Sequence, residues 1–103
     1  MKIVGIIPAR MESSRFPGKP LKKICGMPMI EHVYNRSKLC DMLSDVYVAT
    51  CNKEIFDYII LINGKAIMTS DLHERASDRT AEALLLIEED LDCKIDIVVM
   101  IQG

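Results

Sequence analysis

Arg10, Arg15 and Lys19 stand close together in residues 7–21, IPARMESSRFPGKPL, with Lys22 just beyond. A polyphosphate needs cations and free backbone N–H groups on one concave surface. This segment offers both. Arginine presents a planar fork to phosphate oxygens, and lysine presents a movable point charge. Gly18 lets a backbone come close, while Pro17 and Pro20 stiffen the approach. Charge alone fits an ordinary solvated loop equally well. Position after an apolar strand and the Pro-Gly-Lys-Pro punctuation favour phosphate binding. Neither GxxxxGK[ST] nor GxGxxG is present.

The elements that must hold this loop follow from periodicity. Residues 2–7 (KIVGII) are apolar and β-branched and predict a buried strand, with a loop from Pro8 to about Pro20. Pro28 suits the first turn of a helix, where its missing N–H costs nothing. Ile30, Val33 and Tyr34 then repeat at helical spacing to about Leu39. Asp45–Thr50 (DVYVAT) predicts a second strand, and residues 53–62 a helix stopped by Asn63-Gly64. Ala66–Met68 is a short third strand. A polar loop over 69–77 leads to a helix that Ser77 or Asp78 would cap, running to about Asp90 with Ala81, Leu84, Leu85 and Ile87 inward. Residues 95–101 (IDIVVMI) predict a fourth strand.

This β-α-β-α-β-α-β order predicts an α/β fold: a Rossmann-like, mostly parallel sheet with helices on both faces. Ligands of such sheets bind beyond the carboxyl ends of the strands, where strand order reverses. The chemistry is therefore expected in the loops after strands one, three and four. A final apolar strand leaves an edge or face that something should cover, so a homo-oligomer or association with a missing C-terminal half is expected.

Composition narrows the classes. Half of the 103 residues are hydrophobic, enough for a core, though a domain this small has a thin stability margin. A net charge of -2 with interspersed signs argues against a nucleic-acid tail or membrane-surface patch. No apolar run approaches the roughly 20 residues of a membrane span, and the start lacks a signal-peptide pattern, so a cytoplasmic protein is expected. Cys25, Cys40, Cys51 and Cys93 form no CxxC pair and have no histidine at metal-ligand spacing. They read as reduced thiols packed as small apolar groups. Met27, Met29, Met68 and Met100 read as core fillers, and Glu88-Glu89-Asp90 as a solvated helix end.

The pattern IIPAR-x(3)-SR-x-PGKPL over residues 6–21, followed by I-x-G-x-PMI-x-HV over 24–33, resembles the opening of the CMP-Kdo synthetases (3-deoxy-manno-octulosonate cytidylyltransferases). Val48-Ala49-Thr50 resembles that family's second strand end. Met68-Thr69-Ser70, His73 and Asp78-Arg79-x-Ala81-Glu82 resemble its MTS-x(2)-H-x(4)-DR-x-AE segment, and Ile101-Gln102-Gly103 the start of its QGDEP motif. Sialic-acid, pseudaminic-acid and spore-coat sugar cytidylyltransferases share the first loop. The segment around His73 and Asp78-Arg79 favours the Kdo type.

The resemblance implies a nucleotide-diphospho-sugar transferase (GT-A-like) fold and a reaction using CTP and Mg²⁺. The anomeric hydroxyl of Kdo attacks the α-phosphate, pyrophosphate leaves, and CMP-Kdo feeds lipopolysaccharide or capsule synthesis. It implies that Arg10 and Lys19 hold the β- and γ-phosphates, with Arg15 a weaker candidate for the same work. Pro8, Ala9 and the backbone beside them would lie against the nucleotide. The segment of Asp78 and Arg79 would face the cytosine, and Gln102 would lie near nucleotide and sugar. Asp78 also fits a first-turn helix acid. His73 fits a surface loop histidine, and Gln102 a chain end.

Three departures stand out. Where the family usually reads VATDD, this chain reads Val48-Ala49-Thr50-Cys51-Asn52, without the two acids. Where the family reads H-x-S-G-T-D-R, Arg75 and Ala76 replace Ser and Gly. The family's Mg²⁺-binding Asp follows the QG at which residue 103 stands. The resemblance therefore makes residues 1–103 the N-terminal nucleotide-binding part, with the metal ligands, sugar-binding and dimerisation elements elsewhere. By itself the chain is expected to be inactive. Alternatives are a degenerate nucleotide- or partner-binding module without turnover, or a related acylneuraminate or pseudaminate cytidylyltransferase.

Overall fold

A computed structural model of the chain describes residues 2–11, 19–70 and 75–101, with Lys19 described in its backbone alone. Four parallel strands form the central sheet: β1 (Ile3–Ala9), β4 (Asp45–Thr50), β5 (Ala66–Met68) and β6 (Ile97–Met100), in the order β5-β4-β1-β6. The helices are α1 (Met29–Lys38), α2 (Lys53–Leu61) and α3 (Ala76–Leu91). The chain first adds strands on one side of β1, then returns to the other. The reversal of strand order therefore falls between β1 and β6.

Each face of the sheet has its own core, because successive side chains of a strand point to opposite faces. Ile7, Ala9, Val46 and Val48 pack with Ile30 and Tyr34 of α1 and Ile55 and Ile59 of α2. Val4, Ile6, Tyr47 and Ala49 pack with Ala83 and Ile87 of α3. The expected parallel sheet with helices on both faces is what forms.

Several boundaries differ from the expectation. β1 continues through Pro8 and Ala9, which pair with Ala49 and Thr50. Proline is admitted here because of which side its nitrogen faces. Ile101 N–H bonds to the Ile6 carbonyl at 2.9 Å, so alternate residues of β1 turn toward β6. The Pro8 nitrogen turns that way too, beyond the last paired residue of β6. Lys19–Leu21 forms a 3-10 turn, and β2 (Lys23–Ile24) and β3 (Met27–Pro28) form a small antiparallel hairpin. Its two-residue turn, Cys25 (φ 55°) and Gly26 (φ 81°), places both residues in the left-handed region that primed hairpin turns require. Pro28 is the residue before α1, one position earlier than expected.

The α2 stop is as expected. Asn63 takes the left-handed position (φ 64°), Gly64 N–H bonds to Ile59 O at 2.8 Å and Asn63 N–H to Ile60 O at 3.0 Å, a Schellman end. In α3 the expectation fails in two respects. The residue before the helix is Arg75, which makes no side-chain cap, so Ser77 and Asp78 lie inside the first turn. The inward face is Thr80, Ala83 and Ile87 with Leu84 and Leu91 partly covered, whereas Ala81 is exposed and Leu85 is 66% exposed. The helix starts earlier than expected, and its buried stripe follows steps of three and four from Thr80.

β6 is shorter than the expected strand. Among the described residues it is one of the two edge strands, β5 being the other, and Ile97, Val99 and Met100 are each about two-fifths exposed. Met68 and Met100 are exposed rather than core fillers, while Met27 and Met29 are half-buried. The four cysteines are unpaired, but Cys25, Cys40 and Cys93 are exposed and only Cys51 is half-buried, so they do not act as packed apolar groups. No helix among the described residues is long and apolar enough to cross a membrane.

Candidate functional site

The carboxyl ends of β1, β4 and β5 lie side by side, since Ala9 pairs with Thr50 and Thr50 with Met68. Parallel pairing sends the segments after all three strands out at the same end of the sheet. Pro8 is half-buried and Ala9 buried at this end, and Arg10 follows directly, half-buried. Arg10 thus enters the loop beside the reversal of strand order, where the first loop was expected to act.

Behind Arg10 runs a chain of polar ties. Met11 N–H donates to Asn52 Oδ1 at 2.9 Å, joining the segment after β1 to the segment after β4. Asn52 N–H donates to Thr50 Oγ1 at 3.1 Å, and Thr50 is fully buried. Thr69 N–H donates to the Thr50 carbonyl at 2.9 Å, which joins β4 to the segment after β5. Ser70 N–H donates to Glu82 Oε1 at 3.0 Å, which fixes that segment against α3.

Arg79 closes the arrangement. Only 3% exposed, it donates from Nε to Thr69 Oγ1 at 3.2 Å, and its Nη2 lies 3.8 Å from Cys51 Sγ. Its guanidinium is part of the wall that connects the ends of β4 and β5 to the first turn of α3. Asp78, one residue earlier, is exposed on that turn, at the end of α3 where a negative charge is favourable. The structure thus brings the Arg10 segment, Cys51-Asn52 and Arg79 together through named bonds. Arg15, His73 and Gln102 lie outside the described residues, as does the side chain of Lys19.

Thr50, Asn52, Thr69 and Glu82 were not among the candidate site residues. The signal for Asn52 was visible in its position at the end of a strand adjacent to β1. It was read as the loss of an acid, yet its amide oxygen supplies the acceptor the loop uses. Among the described residues no three His, Cys, Asp or Glu side chains cluster to hold a metal ion.

Arg10 beside the strand reversal, backed by a buried wall of hydrogen-bonded polar groups, is chemically suited to receive an anion. The sequence profile of the cytidylyltransferase family matches residues 4–103. A 3-deoxy-manno-octulosonate cytidylyltransferase of Syntrophus aciditrophicus is 50% identical over 103 residues, covering 99% of this chain and 40% of that protein. An 8-amino-3,8-dideoxy-manno-octulosonate cytidylyltransferase of Shewanella frigidimarina is 45% identical, covering 100% of this chain and 41% of that protein. A solved CMP:2-keto-3-deoxy-manno-octonic acid synthetase complexed with CTP superposes with a TM-score of 0.83 at 42% identity, over 100% of this chain and 40% of that one. The chain thus spans about two-fifths of the length of these relatives. Matched along almost all of its own length, the chain belongs to the cytidylyltransferase family, in which it is similar to the CMP-Kdo synthetases.

Proposed function

We propose that residues 1–103 carry the CTP-binding part of a cytidylyltransferase that activates a 3-deoxy-manno-octulosonate-type sugar. The observation that carries this reading is the seat of Arg10 at the carboxyl end of β1, beside the strand reversal, in a fold shared with a synthetase solved with CTP. In this reading Arg10 and Lys19 neutralise the β- and γ-phosphates and stabilise departing pyrophosphate, with Arg15 beside them. Transfer of this kind depends mainly on positioning and charge neutralisation. Pro8 and Ala9 form the floor under the nucleotide, Asp78 and the wall built by Arg79 flank the base, and Gln102 lies toward the sugar.

Mg²⁺ would accompany the triphosphate and help to neutralise its charge. Its protein ligands and the sugar pocket belong to polypeptide equivalent to the rest of the relatives' length. The 103 residues alone bind nucleotide without turnover. The half-exposed β6 edge then takes either that polypeptide or a second copy of the chain. The product serves lipopolysaccharide or capsule synthesis in the cytoplasm. Relatives named for the 3-deoxy sugar and for its 8-amino analogue are both similar, so comparing the two sugars as substrates of the completed enzyme decides between them.

The test is thermal unfolding of the chain with CTP and Mg²⁺, with ATP as control. A ligand at about 100 times its dissociation constant adds roughly 2.7 kcal/mol to the native state. In a domain of this size each 1 kcal/mol moves the midpoint by about 4–8 °C. A rise with CTP and none with ATP supports the reading. A cooperative transition indifferent to CTP sinks it and favours a degenerate module.

A further inference from the structure

We propose that Asn52 is a positioning residue for the phosphate-binding segment, holding the backbone directly after Arg10 in the geometry that receives the triphosphate. The inference rests on the CTP-binding reading above.

Asn52 precedes α2 with extended dihedrals (φ -100°, ψ 123°), the conformation and residue type that ordinarily cap a helix. Its side chain makes no such cap. Its amide oxygen instead accepts from Met11 N–H at 2.9 Å, across a sequence separation of 41 residues. The Asn52 backbone is itself anchored, because its N–H donates to the buried Thr50 Oγ1 at the end of β4. The acceptor is therefore fixed from a central strand.

Met11 is the first residue after Arg10. A single bond there restricts the backbone that carries the guanidinium. Ordering a loop when a ligand arrives opposes binding, and a loop ordered beforehand loses less. Asn52 touches no phosphate in this account. It acts through Met11 and Arg10. An aspartate offers the same acceptor at the same reach, whereas alanine leaves Met11 N–H without it.

The experiment uses the 103-residue chain and the variants Asn52→Ala and Asn52→Asp. CTP affinity is measured by calorimetry in Mg²⁺ buffer, and exchange of the Met11 amide hydrogen by NMR. The expected result is a protected Met11 amide in the wild type and in Asn52→Asp, and an unprotected one in Asn52→Ala. CTP binding should weaken about tenfold in Asn52→Ala, the scale of one lost backbone hydrogen bond. Asn52→Asp should restore most of it. A purely structural role would lower the unfolding midpoint of Asn52→Ala and leave CTP affinity within about twofold of wild type, and that result overturns the proposal. An unprotected Met11 amide in the wild type also overturns it. If Asn52→Ala does not fold, a protected wild-type amide with near wild-type affinity in Asn52→Asp sustains the proposal, and loss of affinity in Asn52→Asp overturns it. If the wild type fails to bind CTP, the functional reading falls first, and the positioning role falls with it even if the Met11 amide is protected.

Discussion

Arg79 and Thr69 are joined by a hydrogen bond of 3.2 Å between Nε and Oγ1, with both side chains more than nine-tenths buried. The bond links the first turn of α3 to the residue after β5, and Nη2 of the same guanidinium extends toward Cys51 at the end of β4. A buried arginine is retained where its rigid fork satisfies several acceptors at once. Lysine has one compact head and cannot take both directions. Arg79→Lys is therefore expected to destabilise the chain by about 1–3 kcal/mol, the cost of a buried polar partner left unmet. Urea unfolding checks this. An Arg79→Lys midpoint equal to wild type would mean that the guanidinium does not hold these strand ends.

Stability should fall at alkaline pH through three groups. Tyr58 is held above its ordinary 10.0, first by its hydrogen bond to Glu31, which joins α2 to α1. Tyr47 is raised from 10.0 chiefly by burial. Lys65 is raised from 10.5, first by its hydrogen bond to Asp45 at 2.5 Å. In each case the folded state holds its proton more tightly than the unfolded chain. The contribution is fully present below the ordinary value and is lost as pH rises through the higher folded value. The urea midpoint should accordingly decline from about pH 10 upward. Tyr58→Phe should lower the midpoint at neutral pH and shrink the alkaline decline. An unchanged slope in that variant would remove Tyr58 from the account.

Gly64 is required by closeness rather than by dihedral freedom. A Cβ there would lie 2.8 Å from Ile59 Cγ2, 3.1 Å from the Ile59 carbonyl and 3.1 Å from Tyr34 Cε2. Ile59 and Tyr34 are both core residues, so neither can move cheaply. The neighbouring Lys65 N–H also donates to Tyr34 Oη at 3.0 Å. Gly64→Ala should cost about 1–3 kcal/mol by overpacking. Asn63→Gly, at the left-handed position, should be nearly neutral. Differential scanning calorimetry of the pair tests this, and the reverse ranking would relocate the constraint to Asn63.

The four-strand parallel sheet and its three helices were legible because each buried strand is a short apolar run and each helix carries a regular stripe. Asn63-Gly64 likewise announced the end of α2. The hairpin at Cys25-Gly26 was missed because its strands are two residues long and carry no alternation to read. The inward face of α3 was misread at Ala81 and Leu85 because leucines at consecutive positions fit more than one stripe. Only the packing of Ala83 and Ile87 against β1 and β4 selects the register. In the candidate site, the place of Arg10 directly after a central strand was legible from the apolar run that precedes it. The Met11–Asn52 and Arg79–Thr69 bonds were not, because hydrogen bonds between distant segments leave no periodic trace.

The outer edge of β6 makes the last prediction. β6 pairs with β1 on one side, and among the described residues no strand covers the other. Ile97, Val99 and Met100 add apolar surface at 43%, 39% and 40% exposure to an unpaired row of backbone groups. Natural edge strands are commonly protected by a charge, a bulge or a proline, and Ile97–Met100 carries none of these. The 103-residue chain studied alone should therefore self-associate as its concentration rises. Val99→Lys should suppress this, because a charge at the edge cannot be buried against a second strand without a large desolvation cost. Sedimentation velocity over a concentration series measures it. A wild-type chain that stays monomeric throughout, or a Val99→Lys variant that associates equally, would show that the β6 edge is not the adhesive surface. Polypeptide equivalent to the relatives' remaining length, supplied in trans, should compete with self-association if both use this edge. Failure to compete would place its docking elsewhere on the sheet.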